Sequence, residues 1–397
     1  MNLRDDAQSM ADELIQLRRT LHRTPEVGLA LPRTQEAVLG ALDGLPLEIS
    51  TGSGLSSVTA VLRGARPGPT VLLRGDMDAL PVTERTGLDY ASDSDRMHAC
   101  GHDLHTTMLA GSARLLSAHR DQLAGNVLFM FQPGEEGFDG AGQMLAEGVL
   151  ETTGERPVAA YALHVTSSTY TAGTFATRTG PLLAASSVLS VKVRGAGGHG
   201  SAPHRAKDPI PAACEMVTAL QTWISRSFDV FDPVVLTVGS FHAGTASNII
   251  PDDASFVATI RSFSPEALVK LKDGTVEVCR GIAAAHGLEV DAEFNEQYPV
   301  TVNDGSEADF IADTVREVHG EERFEPMENP ILGAEDFSRV IAEIPGAMVF
   351  LGATPADADP ETAPNNHSPL AAFDDAVLAD GTALYAELAT RRLSAAG

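Results

Sequence analysis

Four short apolar runs constrain the fold of this chain most strongly: SVTAVL at 57–62, TVLLR at 70–74, VLFMF at 127–131 and VAAYAL at 158–163. Each has the length of a strand and is bounded by turn residues or polar loops. Helical stretches separate them, one over 103–119 with Met108, Leu109, Leu115 and Leu116 apolar, another near 139–148. The chain opens on an amphipathic helix in which Met10, Leu14, Leu17 and Leu21 recur at helical spacing, closed by Pro25. Strands alternating with helices predict an α/β layer architecture.

The runs also deliver polar groups to one place. Asp76 follows the second run, Glu135 and Glu136 follow the third in QPGEEG, and His164 ends the fourth. Ligands of open α/β sheets bind at the carboxyl edge of the strands. Groups arriving there from three strands predict a single site.

The middle third has another rhythm. A strand at 187–193 leads to a helical stripe of Ile210, Ala213, Val217, Leu220 and Ile224, then to strands near 234–241 and 254–262. Ser264 caps a second helix with Pro265 at its first position, and a strand near 288–294 ends the set. The order βαββαβ is the ferredoxin-like split arrangement. The expected organisation is a discontinuous mixed-sheet α/β catalytic domain, 1–185 and 298–397, with an inserted ferredoxin-like domain at 186–297.

Composition narrows the partners. A net charge of −26 over 397 residues argues against nucleic acid or an anionic membrane surface. No apolar run approaches the ~18 residues of a membrane span. The opening residues do not form a signal peptide, and three cysteines make no disulfide framework, so the expected location is cytoplasmic. Cys214 and Cys279 lie in helical apolar patterns and read as core or interface residues.

The densest chemistry lies in MHACGHDLH, residues 97–105, which holds three of the twelve histidines and one of the cysteines. Cys100 and His102 suit zinc and neighbouring transition metals. Adjacent glutamates after a buried strand need a partner, and a metal is such a partner. One glutamate can ligate while the other takes the proton of a metal-bound water. His164 and His367, the latter in NNHSPL, extend the set to Cys100, His102, Glu136, His164 and His367. Five ligands exceed the need of one tetrahedral zinc, and two ions sharing a bridging ligand account for the number. Taken singly, His164 reads as a core histidine, Glu136 as a helix N-terminal charge, His367 as a loop residue and Arg261 as a surface ion pair.

These residues carry a family resemblance. LRRTLHRTPEVG, RGDMDALPV, MHACGHDLHTTM, FQPGEEG, ALHV, GGHGSAPH, TASNIIPD, LGAEDF and NHSPL occur in this order. The set resembles peptidase family M20, and within it the amidohydrolase branch of hippurate hydrolases, N-acyl-amino-acid amidohydrolases and auxin-conjugate hydrolases. The resemblance implies hydrolysis of N-acyl-L-amino acids at a pair of divalent ions, zinc first, with manganese, cobalt or nickel as alternatives. It implies Cys100 as the bridge, His102, Glu136, His164 and His367 as the other ligands, and Glu135 as the general base. Asp78 would orient a ligand histidine, and Asp76, where other branches carry a ligand histidine, would stand behind the ligands. His199 would stabilise the oxyanion, reaching across a homodimer formed through the inserted lid domain. Asn248 and Arg261 would hold the substrate carboxylate. GGHGS departs from the branch's more frequent GGHAA.

Three other readings compete: a metallodipeptidase or carboxypeptidase on the same scaffold, Cys100 as a thiol nucleophile with a histidine base, and a metal-binding scaffold without turnover. The thiol reading leaves the glutamate pair and His164 without work. The scaffold reading leaves Glu135 without work.

Overall fold

The computed structural model describes residues 2–395. They gather into two compact units. One takes the chain up to Leu182, Val302–Pro330 and the chain from Asp336 onward; the other takes Leu183–Thr301 and Ile331–Glu335.

The larger unit is built on an eight-stranded mixed sheet. Its first strands are β1 (Leu47–Thr51), β2 (Val58–Arg63), β3 (Arg66–Asp76), β4 (Ala124–Gln132), β5 (Ala159–Thr171) and β6 (Phe175–Thr177). The spatial order is β1, β2, β4, β3, β5, then Gly346–Thr354, β6 and Phe324–Pro326. The central four, from β4 to Gly346–Thr354, run parallel. Strands β1 and β2 add antiparallel at one edge. All nine residues of Gly346–Thr354 and the last seven of β3 are buried. Such unbroken burial marks strands covered on both faces.

Helices α1 (Leu3–Ser9), α2 (Ala11–Arg23), α3 (Pro32–Leu42) and α4 (His102–Ala118) belong to this unit. Helix α4 buries fourteen of its 17 residues, so it is a core helix rather than a surface one. Its core partners include Leu14 of α2 and Leu384 and Leu388 of the terminal helix Leu378–Ala395. Gly101 precedes α4 at φ 83°, and a Cβ there would lie 2.3 Å from Val165 Cγ2. Only glycine meets both conditions.

Two expectations change. The opening helix is two helices, broken at Met10 with φ −94° and ψ 0°. Strand β5 does not end at His164 but continues to Thr171. Gly346–Thr354 pairs alongside it, Phe350 opposite His164 and Gly352 opposite Thr166, so its ladder holds polar residues in extended form.

The smaller unit has a four-stranded antiparallel sheet in the order Val235–Ala243, Asp253–Ser262, Ala185–Arg194, Glu289–Tyr298. Helices Pro209–Ser227 and Pro265–Ala285 pack on it through Met216, Leu220, Leu271 and Cys279. In chain order the strands lie 2-3-1-4, the ferredoxin-like topology. The Ser264 side chain accepts from the Ala267 N–H, as its capping role requires. Cys279 is buried whereas Cys214 is exposed. Among the described residues, no helix is long and apolar enough to cross a membrane.

Candidate metal centre

Within the larger unit the side chains of Cys100, His102, Glu136, His164 and His367 meet. Cys100 Sγ lies 3.5 Å from His164 Nε2 and 3.3 Å from His367 Nε2. Glu136 Oε1 is 3.1 Å from His367 Nε2 and 4.0 Å from His102 Nε2. Sets whose ligand atoms lie within 4.8 Å of one another include Cys100, His102 and His164; Cys100, Glu136 and His367; His102, Glu135 and Glu136; and Asp76, His102 and His105. Cys100 belongs to two of them.

Local structure explains the placement. Cys100 and His102 flank Gly101, whose left-handed turn starts α4. Asp78 Oδ1 and Oδ2 accept the backbone N–H groups of Glu135 (2.9 Å) and Glu136 (3.1 Å), which fixes the PGEEG loop against the end of β3. Asp78 Oδ1 also faces His102 Nδ1 at 3.5 Å. His164 Nδ1–H donates to Val165 C=O (2.8 Å), which turns Nε2 toward the thiol. His367 holds φ 71°, a left-handed conformation uncommon outside glycine, with its N–H donating to Ala99 C=O (2.8 Å).

The electrostatics ask for cations. Burial works against the Cys100 thiolate, but His164 and His102 overcome it and hold its pKa well below the ordinary thiol value. Burial and the Cys100 charge push Glu136 up to about 7. Hydrogen bonds to Cys100 and Glu136 raise His367 to about 10. Burial opposes charge on His102 too, yet Asp76 and Cys100 hold its pKa well above the ordinary histidine value. The raised values of Glu136, His367 and His102 share one origin, the negative charge of neighbouring Cys100, Glu136 or Asp76. Both nitrogens of His102 and Glu136 Oε1 are buried without a hydrogen bond of good geometry, although His367 Nε2 stands close to the latter. Orphaned ligand atoms of this kind beside the Cys100 sulfur fit divalent transition-metal ions.

The other expected residues lie in the smaller unit. His199 is exposed in the short strand Gly198–His199, paired with Ile249. Its Nδ1 meets Ser201 Oγ at 2.8 Å. Asn248 is exposed next to it, and its C=O accepts the Gly200 N–H (2.9 Å). Arg261 points its guanidinium at Thr259 Oγ1 (2.7 Å), Ile260 C=O (3.0 Å) and Leu332 C=O (3.3 Å). It has no acidic partner among the described residues, and burial lowers its pKa.

Sequence reading assigned no role to a buried network behind α4. Arg18 Nε donates to Asp103 (2.8 Å), and Arg18 Nη1 reaches Tyr90 Oη (2.7 Å) and Asp375 (2.9 Å). His22 joins Asp103 (2.7 Å) to Glu84 (3.2 Å). The Glu26 C=O accepts the Ala79 N–H (2.8 Å), one residue past Asp78. The only available signal was LRRTLHRTPE itself, a motif with no recognisable chemistry on its own.

Comparison with known proteins agrees with this site. The profile of peptidase family M20/M25/M40 matches residues 72–391. Thermostable carboxypeptidase 1 of Saccharolobus solfataricus is 38% identical, covering 98% of each chain. Hippurate hydrolase of Campylobacter jejuni is 34% identical, covering 99% of this chain and 100% of its own. Among solved structures, the Bacillus subtilis YXEP protein, a dinuclear metal binding peptidase from the M20 family, superposes with TM-score 0.82. It is 30% identical and covers 98% of this chain and 99% of its own. With Cys100, Glu136, His164 and His367 all inside the matched span and whole-length relatives of both kinds, the chain belongs to peptidase family M20/M25/M40.

Proposed function

We propose that this protein is a metal-dependent amidohydrolase that cleaves N-acyl-L-amino acids to a carboxylic acid and a free amino acid. One observation carries the reading: a thiol, three imidazoles and Glu136 converge in a charge-rich cluster, buried or half-buried except at His367, with Glu135 beside them. The similarity to hippurate hydrolase supports the substrate class. The dinuclear description of the Bacillus subtilis relative supports two ions. Zinc is the first choice for a set containing thiolate, with manganese, cobalt and nickel as alternatives.

Such ions, when bound, supply Lewis acidity that polarises the amide carbonyl and acidifies water. The chain's own residues do the rest. Glu135 takes a proton from water as the new C–O bond forms at the acyl carbon. It returns that proton to the leaving nitrogen as the C–N bond breaks. Asp78 keeps the two glutamates in separate roles by gripping their backbones. His199 is the proposed oxyanion donor, supplied across a homodimer in which the smaller unit is both lid and dimer contact. Asn248 and Arg261 hold the substrate carboxylate. Arg261 Nη2 makes no hydrogen bond among the described residues, which suits that work. A reducing compartment, the cytoplasm, suits the free Cys100 thiol.

A carboxypeptidase reading has its own support in the 38% identical thermostable carboxypeptidase. Comparing N-benzoyl-glycine and N-acetyl amino acids with dipeptides separates the two. The central test is Glu135→Gln. It should bind metal as the wild type does and lose roughly 10²–10⁴-fold in turnover. Wild-type turnover by this variant ends the assignment.

A further inference from the structure

The mechanism above gives no work to a chain of polar groups running behind the cluster. Asp336 accepts from Arg74 Nη2 (2.9 Å), from Gln132 Nε2 (2.8 Å to each oxygen) and from the Ala141 N–H (2.9 Å). Arg74 Nη1 donates to Asp76 Oδ2 (2.6 Å) and Arg74 Nε to Gln132 Oε1 (2.8 Å). The other Asp76 oxygen meets His105 Nδ1 at 2.6 Å. Arg74, Asp76, His105, Gln132 and Asp336 are each at most 1% exposed.

The chain ends on a backbone. His105 Nε2 accepts the Val165 N–H (2.8 Å), so the proton of this imidazole sits on Nδ1 and points at Asp76. The Val165 C=O accepts in turn from His164 Nδ1 (2.8 Å) and from Asn366 Nδ2 (3.0 Å). Both polar groups of Val165 are therefore pinned. The Nδ1–H of His164 is held away from the cluster, and its Nε2 faces Cys100. Asp76 meets Arg74 with one oxygen and His105 with the other, and the oxygen shared with Arg74 also lies 3.6 Å from His102 Nε2.

We propose that His105, anchored by Asp76, Arg74 and Asp336, is a positioning residue that sets the tautomer and direction of His164 through the Val165 backbone. This rests on the reading of His164 as a metal ligand. The physical reason is that an imidazole ligates only through a bare nitrogen, and the hydrogen bond at its other nitrogen decides which one is bare. Arg74 Nη1 takes one oxygen of Asp76, the other oxygen faces His105 Nδ1, and the Val165 N–H at Nε2 leaves the His105 proton on Nδ1.

Two substitutions separate the halves of the device. His105→Gln keeps an acceptor where Nε2 was and can still meet the Val165 N–H. His105→Asn keeps a donor near Asp76 but offers nothing to Val165. Two readouts are needed: cobalt(II) affinity by calorimetry, and the tautomer of His164 from ring nitrogen-15 shifts in histidine-labelled, metal-free protein. His105→Asn should weaken cobalt binding about 10–100-fold and turn the single Nδ1–H form of His164 into a mixture. His105→Gln should stay close to wild type in both. The proposal is overturned if His105→Asn keeps wild-type affinity and tautomer, or if both variants are impaired alike, which means packing alone. Failure of the wild type to take up cobalt overturns the metal reading instead, and the tautomer shift still decides the role of His105.

Discussion

His367 shows how a single residue betrays its use. A β-carbon at φ 71° carries strain that the loop must sustain, and strain of this kind gathers at functional sites. Asparagine tolerates the left-handed region better than other non-glycine residues. His367→Asn and His367→Ala should therefore both lose metal uptake, but the asparagine variant should unfold about 1 kcal/mol harder in urea. Equal stabilities mean the loop relaxes and no strain is stored there. At this scale the sequence was readable where chemistry is concentrated. Cys100, His102, Glu135 and Glu136 stand out because thiol, imidazole and paired carboxylates adjoin apolar runs. His105 and Asp336 did not stand out. Asp336 acquires meaning only by meeting Arg74, 262 positions away, in a place without water.

At the scale of elements, the amphipathic stripe of α2 accounts for Leu14 and Leu21, while Arg18 and His22 are buried beside them. Periodicity puts Arg18, four residues after Leu14, and His22 on the apolar side, but residue type argues against burying a cation whose partner the spacing does not reveal. The partner, Asp103, lies on α4, and sequence spacing cannot pair two helices. The His164 stretch was misjudged for a similar reason, since β5 is prolonged by a neighbour far along the chain. The α2–α4 joint carries a pH signature. Burial disfavours the charged His22 ring, but Asp103 and Glu84 more than offset this, so its folded pKa is raised above 6.5. Protonated His22 thus adds stability that is complete below pH 6.5 and is lost as pH rises through the folded value. In metal-loaded protein, the gap in melting temperature between wild type and His22→Gln should be widest near pH 6 and narrow toward pH 9. A gap that does not change with pH removes the ionic account of this joint. Taking the difference between the two proteins cancels the histidines they share.

On the scale of the whole molecule, a change of rhythm in the sequence suggests an inserted unit, but the place of Ile331–Glu335 in the smaller unit is marked by no period, although the LGAEDF motif begins there. Five residues have no period, and only contact with the body of a unit assigns them. The global charge was readable without any structure, and its consequence can be worked out. At −26 the body repels an anionic N-acyl amino acid at long range, while any positive charge at the site of binding attracts it only at short range. At ionic strength near 0.01 M the Debye length is about 30 Å, so the substrate senses the whole body; near 0.15 M it is about 8 Å, and local groups dominate. Raising salt across that interval should therefore increase kcat/KM for carboxylate substrates, by roughly two- to tenfold, and leave a neutral amide analogue almost unchanged. A decrease for the carboxylate substrate means that the site's own positive field already governs the approach. The acidic surface then serves solubility alone, and positive groups at the site act well beyond hydrogen-bond range.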